Sequence, residues 1–233
     1  AFTTSGTERM LVDFGNANYF NKALKQPARV KTVLDKIKKD GFKPTFNAVI
    51  SKLEEPMPMG YSNVGIVAEV GANIPNIKVG DRVLSNGSHA EIVKVPKNLF
   101  VKIPENVLDE EAVFGVVGSI ALQSIRLAVP TLGERVVVFG LGLIGLMTVQ
   151  ILKANGCQVL GVDYDNEKIK LAESFGAETV NLTNGEDPVL KASYFTDFKG
   201  VDIVIIAADS KTNKIIEQAA HMSRKRGRIV LSG

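Results

Sequence analysis

Three glycines and one aspartate carry the chemistry that this 233-residue chain declares most openly. Gly140, Gly142 and Gly145 stand in the turn G-L-G-L-I-G, behind the apolar run V-V-V-F and ahead of a helical stretch. A second apolar run, Q-V-L-G-V, ends on Asp163, 18 residues past the last glycine. This order suits the pyrophosphate of a dinucleotide. Gly140 permits a tight turn, Gly142 puts no Cβ between main chain and phosphate, and Gly145 lets the helix pack close to the strand. The helix opening at Leu143 and Ile144 offers unpaired N–H groups and the positive end of its dipole, and Asp163 can accept hydrogen bonds from the adenosine ribose. A carboxylate there favours NAD over NADP, whose 2′-phosphate it repels; Asp165 adds a second negative charge and no arginine follows closely. Tyr164 flanks the acid. Lys168 either reaches the ribose from the next helix or is an ordinary surface lysine. A buried strand and helix joined by a glycine turn would explain the glycines but not the acid. A methyltransferase also places an acid after its second strand, yet three glycines at this spacing fit a pyrophosphate better.

These residues need a scaffold, and the chain from Leu132 onward reads as one. Strands are expected at 135–139, 158–162, 178–182, 201–206 and 227–231, with helices at 143–155, 165–175, 188–195 and 211–223. Such alternation predicts an α/β fold, a Rossmann-type doubly wound parallel sheet with helices on both faces. Its ligand lies at the carboxyl ends of the strands, where Gly140, Asp163, Ala207, Ala208 and Ser232 fall. The front half has another grammar. Between 63 and 104 the runs GIVAEV, DRVLS, AEIVKV and LFVKI, punctuated by glycine and proline, read as a small antiparallel barrel. Residues 17–55 read as a helical insertion: YFNKALKQ, then PARVKTVLDKIKKDG between Pro27 and Gly41, then PTFNAVISKLEE. A further helix over 109–127 bridges the halves, giving expected domains at 1–118 and 119–233.

With 45% hydrophobic and 23% charged residues, the composition is that of a globular protein. The longest uncharged stretch, Val136 to Leu152, holds three glycines and falls short of the roughly 20 residues of a spanning helix, so no membrane role is expected. A single cysteine, Cys157, and the lack of a signal-peptide pattern point to a cytoplasmic location. Residues 1–60 hold ten Lys or Arg against six Asp or Glu, while the net charge of the whole chain is only +3. No aromatic interleaving accompanies this surplus, which argues against nucleic acid. Because a sheet ending on the strand at 227–231 would leave apolar surface uncovered, the chain is read as a piece of a longer polypeptide.

The two grammars in this order resemble the medium-chain dehydrogenase/reductase family, that of zinc alcohol dehydrogenases and quinone reductases. The likeness rests on G-I-V-A-E-V-G at 65–71, V-G-D-R-V at 79–83, H-A-E-I-V-K-V-P at 89–96 and the GLGLIG turn. It implies a GroES-like catalytic barrel beside the Rossmann domain, with hydride transfer between NAD(P) and an alcohol or carbonyl group of a small molecule. The resemblance also locates where zinc ligands would stand, and the ligands are gone. Ser5 of S-G-T-E occupies the first position, Tyr61 of G-Y-S the second, and Val116, two residues before Gly118, the third. A hydroxyl, a phenol and an isopropyl group do not form the thiolate and imidazole tetrahedron of Zn²⁺. The structural zinc lobe is missing too, since only Leu84–Ser88 separate GDRV from HAEIV. The expectation is an oxidoreductase with no metal site.

Without a Lewis acid, another group must meet the charge that develops on the substrate oxygen. Thr7 and Tyr61 are the candidate catalytic residues, with Glu8 and Asn86 as neighbours; the alternative is that Tyr61 merely fills the space a metal would take. The segment SGTERMLV, the helical insertion and GYSNVG resemble a narrower group, in which a zinc-less unit of this type precedes a domain like glucose-fructose oxidoreductase and which is associated with bacterial polysaccharide synthesis. That likeness implies a sugar or nucleotide-sugar substrate and a fused second oxidoreductase domain. Homo-oligomers that pair at the sheet edge 227–231 are common in the family. The rival reading is a non-catalytic NAD-binding scaffold or regulatory module.

Overall fold

A computed structural model describes residues 5–18, 27–54, 56, 58–210 and 212–232, without the side chains of 5–7, 10, 14, 27–29 and 54. The chain divides into two compact units, Ala1–Asn106 and Val107–Gly233. Among the described residues the first begins with the helices α1 (Ser5–Asn16), α2 (Pro27–Asp40) and α3 (Phe42–Glu54). Proline at the first position of α2 carries no N–H to leave unpaired, and Gly41 ends the helix with a left-handed φ of +86°, its N–H donating to Ile37 O at 3.0 Å. Helix α1 was not foreseen; it lies ahead of the helical insertion expected to begin at 17. The stretch Tyr19–Gln26 lies outside the described residues.

Three strands follow, β1 (Asn63–Ile66), β2 (Arg82–Ser85) and β3 (Phe100–Lys102), in the antiparallel order β1-β2-β3. The run AEIVKV, expected as a further strand, carries none. Alternation of side chains is necessary for a strand, but only a neighbour's hydrogen bonds make one. At the base of this sheet Lys102 Nζ and the Lys78 N–H donate to the two oxygens of Asp81, at 2.8 and 2.9 Å.

The second unit opens with α4 (Asp109–Ala112) and α5 (Gly115–Ala128). Then come β4 (Arg135–Phe139), α6 (Leu143–Ala154), β5 (Gln158–Asp163), α7 (Asn166–Ser174) and β6 (Glu178–Asn181). The unit closes with α8 (Pro188–Phe195), β7 (Val201–Ile206), α9 (Lys214–Met222) and β8 (Ser223–Leu231). Its five strands are parallel in the order β6-β5-β4-β7-β8. Side chains alternate across β4 and divide the core in two. Val136 and Val138 pack with Ile125, Val149, Leu152 and Ile169 on one face; Val137 and Phe139 pack with Val180, Ala192, Val204 and Met222 on the other. Both faces of the sheet are therefore covered by helices, as the near-continuous apolar strands require. Ile125 and Ala128 of α5 sit in the first of these cores, so that helix lies wholly within the second unit.

Departures from the expected boundaries are local. The strand expected to run to 182 ends at Asn181, whose side chain accepts the Thr183 N–H at 2.9 Å and starts the 3-10 turn Leu182–Asn184. Helix α9 begins at Lys214 rather than 211, and β8 starts at Ser223 rather than 227. The register of β8 on β7 shifts between Val201 and Ile203, with Arg226 at a φ of +65°. The early start of β8 brings Arg224 beside Asp202, whose Oδ1 accepts the guanidinium while Oδ2 accepts the Arg135 N–H at 2.8 Å. Arg228 joins Glu134 on the same border.

Burial alone would raise the Asp202 carboxyl, but the hydrogen bonds from Arg135 and Arg224 outweigh it and hold the group below the ordinary 3.8 of an aspartate. Its folded value is thus depressed. The stability it contributes is complete above the unfolded value and is lost as the pH falls through the lower, folded one. Asp202→Asn should therefore lower stability by about 1–3 kcal/mol at pH 7 in chemical denaturation, with a gap that closes as the pH falls below the ordinary aspartate value of 3.8. A gap unchanged at acid pH would exclude this electrostatic role. Cys157 is buried, and burial first, then Glu134 and Asp202, pushes its thiol up, so it is a core residue rather than a nucleophile. No helix among the described residues is long and apolar enough to cross a membrane.

Candidate functional site

In the second unit β4 has β5 on one side and β7 on the other, so the connections leave it in opposite directions and open a crevice at its carboxyl end. The glycine turn lies there. Gly140 has a φ of +87°, and a Cβ on it would come within 2.8 Å of the Ala208 Cβ. The crevice floor is pinned by main-chain bonds: Gly140 N–H donates to Val162 O, Ala207 N–H to Phe139 O and Ser232 N–H to Ile206 O, each at 2.8 Å. Gly145 shows the closest approach, for a Cβ on it would lie 1.8 Å from Gly140 O. Gly142 is the opposite case, with nothing within 4 Å of where its Cβ would be.

Gly142 is also the N-cap of α6, and no side chain caps that end. The first helical bond runs from Leu146 N–H to Gly142 O at 2.8 Å, so the N–H groups of Leu143, Ile144 and Gly145 have no partner within the helix. Open space before Gly142, unpaired donors and the positive end of a helix dipole make a cradle for a pyrophosphate. The residues present therefore fit a dinucleotide.

Asp163 ends β5 beside this cradle. Its Oδ2 accepts the Leu141 N–H at 2.7 Å, and its Oδ1 accepts the N–H groups of Tyr164 at 2.7 Å and Asp165 at 3.0 Å. The carboxylate thus braces the glycine turn. Tyr164 is largely exposed, and its carbonyl accepts the Thr183 hydroxyl at 2.6 Å. Asp165 is put to local use: its carboxylate caps α7 through the N–H groups of Glu167 and Lys168. The Glu167 N–H first, then Lys168, hold that carboxyl below its ordinary value. Lys168 lies 3.5 Å from Asp165 Oδ2, so its ammonium is engaged one turn from the acid at 163. Ala208 is half-buried at the end of β7, and Asp209 beside it is exposed. At the end of β8, Ser232 bonds to the Ser124 hydroxyl of α5 at 2.8 Å, a link that nothing in the sequence announced.

In the first unit, Thr7 falls on α1 but its side chain lies outside the described residues. Tyr61 is half-buried after Gly60, and Ser62 beside it is buried. Asn86 is exposed, its N–H donating to Leu99 O at 3.1 Å. Glu8 and His89, 81 positions apart, meet through Nε2 at 3.2 Å. The sequence marks Glu8 only as a neighbour of the candidate catalytic residues, and its pairing with His89 comes from the fold. In the second unit Val116 is half-buried near the start of α5 and offers no donor. Among the described residues no three His, Cys, Asp or Glu side chains converge as metal ligands would.

Two family models match the chain, one described as alcohol dehydrogenase GroES-like domain over residues 36–105 and one as zinc-binding dehydrogenase over residues 144–233. An alcohol dehydrogenase of Geobacillus stearothermophilus is 31% identical over 211 residues, covering 76% of this chain and 61% of its own length. The solved structure of an alcohol dehydrogenase from Thermus sp. ATN1 superposes with a TM-score of 0.70 at 26% identity, over 74% of this chain and 60% of that one. A structure from Escherichia coli CFT073, described as a short chain alcohol dehydrogenase complexed with cofactor NADH, gives 0.64 at 26% identity, over 74% and 60% of the two chains. This chain spans about 60% of the length of such relatives.

Proposed function

Since the chain belongs to the medium-chain dehydrogenase/reductase family, we propose that it serves an NAD-preferring, zinc-independent oxidoreductase that moves hydride between nicotinamide and an alcohol or carbonyl carbon. The observation that carries the reading is the uncapped end of α6, with open space at Gly142 and the Asp163 carboxylate beside it. Leu143, Ile144 and Gly145 would hold the pyrophosphate through their N–H groups. Asp163, flanked by Tyr164 and Lys168, would meet the ribose, and Ala207–Asp209 with Leu231–Ser232 would flank the nicotinamide. Bound there, the nicotinamide supplies or accepts the hydride. That the relative from Escherichia coli CFT073 is described with NADH supports this choice of cofactor.

The substrate oxygen gains charge when its carbon accepts hydride, and a hydroxyl donor stabilises it. Thr7 and Tyr61 supply that donor in this reading. Ser5, Tyr61 and Val116, the residues at the ligand positions implied by the resemblance, lack the thiolate and imidazole donors of zinc, so the reaction runs through these hydroxyls instead. The likeness to the zinc-less group of polysaccharide synthesis favours a sugar or nucleotide sugar as substrate.

Fluorescence titration is expected to show NADH bound at least about tenfold more tightly than NADPH, a difference of about 1.4 kcal/mol from one misplaced phosphate. Tighter binding of NADPH would overturn the assignment. The same loss of ligand positions also suits an NAD-binding scaffold. A turnover screen of the full-length polypeptide on sugars and aldehydes separates the two, since binding without turnover would favour the scaffold.

A further inference from the structure

The Glu8 side chain is only 6% exposed, and both its oxygens lie 3.2 Å from His89 Nε2. A carboxylate placed so selects the tautomer with hydrogen on Nε2 and leaves Nδ1 as the acceptor of the ring. Nδ1 is buried and has no partner among the described residues. The imidazole lies directly over Gly60, where φ is +82° and a Cβ would come within 2.5 Å of Cδ2, Cε1 and Nε2. Only glycine meets both demands. The His89 N–H grips the same segment a second time, donating to Met59 O at 2.6 Å.

The loop that delivers His89 is itself pinned. Ser85 Oγ donates to Asn63 Oδ1 at 2.7 Å, Asn63 Nδ2 donates to Ser88 O at 3.0 Å, and the Gly87 N–H donates to Ser85 Oγ at 3.3 Å. Ser85 and Asn63 are both buried, and a Cβ at Gly87 would lie 2.8 Å from Asn63 Nδ2. A carboxylate is costly to bury, and this one is buried beside an imidazole rather than the arginine fork that suits a purely structural pair. The result is a ring held from three sides against the main chain that leads into Tyr61.

We propose that His89, oriented by Glu8, is a positioning residue for Tyr61: it fixes the Met59–Gly60 segment and so sets where the phenol is presented to the substrate oxygen. The inference rests on the reading of Tyr61 given above and adds the residues that aim it. Reactions that depend on a fixed donor lose rate steeply when the donor moves, and a displacement of 1 Å costs about 100-fold.

The test is a cycle of Tyr61→Phe, His89→Phe and the double variant, made in the full-length polypeptide, with turnover and NADH binding measured on each. Each single change is expected to lower kcat about 100-fold with the NADH Kd unchanged, and the double variant to be no slower than Tyr61→Phe alone. His89→Gln, whose amide nitrogen can donate to Glu8 as Nε2 does, is expected to recover part of the loss. Gly60→Ala displaces the ring while residue 89 stays a histidine and is expected to reproduce the effect of His89→Phe, which keeps the test usable should His89→Phe fail to fold. Multiplying effects in the double variant, or a wild-type kcat in His89→Phe beside a slow Tyr61→Phe, would overturn the positioning role alone. A wild-type kcat in Tyr61→Phe would overturn the phenol's role and this inference with it.

Discussion

Gly142→Ala is expected to abolish NADH binding while leaving the fold intact, and Gly145→Ala to damage both. The contrast follows from two environments three residues apart. At Gly142 the backbone sits at φ −67°, which alanine adopts freely, and nothing lies within 4 Å of the added Cβ. Its only effect is to occupy the approach to the uncapped helix end. Stability should stay within about 0.5 kcal/mol of wild type, while NADH affinity falls more than about 100-fold as the phosphate is pushed off its donors. At Gly145 the added Cβ would lie 1.8 Å from Gly140 O, which is main chain with no room to yield. Helix and strand must separate, at a cost of about 3 kcal/mol, and the cradle is dismantled as they do. Thermal melts beside fluorescence titrations check the pair. Wild-type NADH binding by Gly142→Ala would mean that no phosphate approaches this turn.

Asp163→Ala should cost nearly as much, and through more than the loss of a ribose contact. Its carboxylate accepts three main-chain N–H groups, among them that of Leu141, a fully buried residue of the glycine turn. Leaving a buried donor unpaired costs about 1–3 kcal/mol, so the variant should melt earlier as well as bind NADH weakly. Asp163→Asn sharpens the point. An amide can serve two of the three donors with its oxygen but then turns its own N–H groups on the third. Neutralising the acid is therefore expected to weaken NADH binding without producing tight NADPH binding. If Asp163→Asn kept its Tm and came to prefer NADPH, Asp163 would be a selector of the cofactor alone and not a brace of the turn.

Much of the second unit was legible residue by residue. The runs at 135–139 and 201–206 are apolar on both faces because helices cover both sides of the sheet, and that pattern is hard to mistake. Gly140, Gly142 and Gly145 could each be assigned a task because each task forbids a Cβ for a different reason. What escaped was set by partners distant in the chain. Helix α1 carries Gly6 and Gly15, poor helix formers that mask it in the linear sequence. AEIVKV has the alternation of a strand, but no neighbour supplies it with a ladder. Asp165 was legible as a charge and not as the cap of α7, and the link between Ser124 and Ser232 joins residues 108 positions apart.

By itself, then, the sequence determined the parallel sheet and the glycine turn at the carboxyl end of its central strand. These are consequences of local steric and polar rules that act within one strand, turn and helix. Tertiary structure alone decided that Asp163 braces the turn it borders, that β8 begins at Ser223 to set Arg224 against Asp202, and that Glu8 meets His89 over Gly60. Hydrogen bonds and close approaches between remote residues depend on how the chain returns to itself, and residue types in linear order do not fix that path.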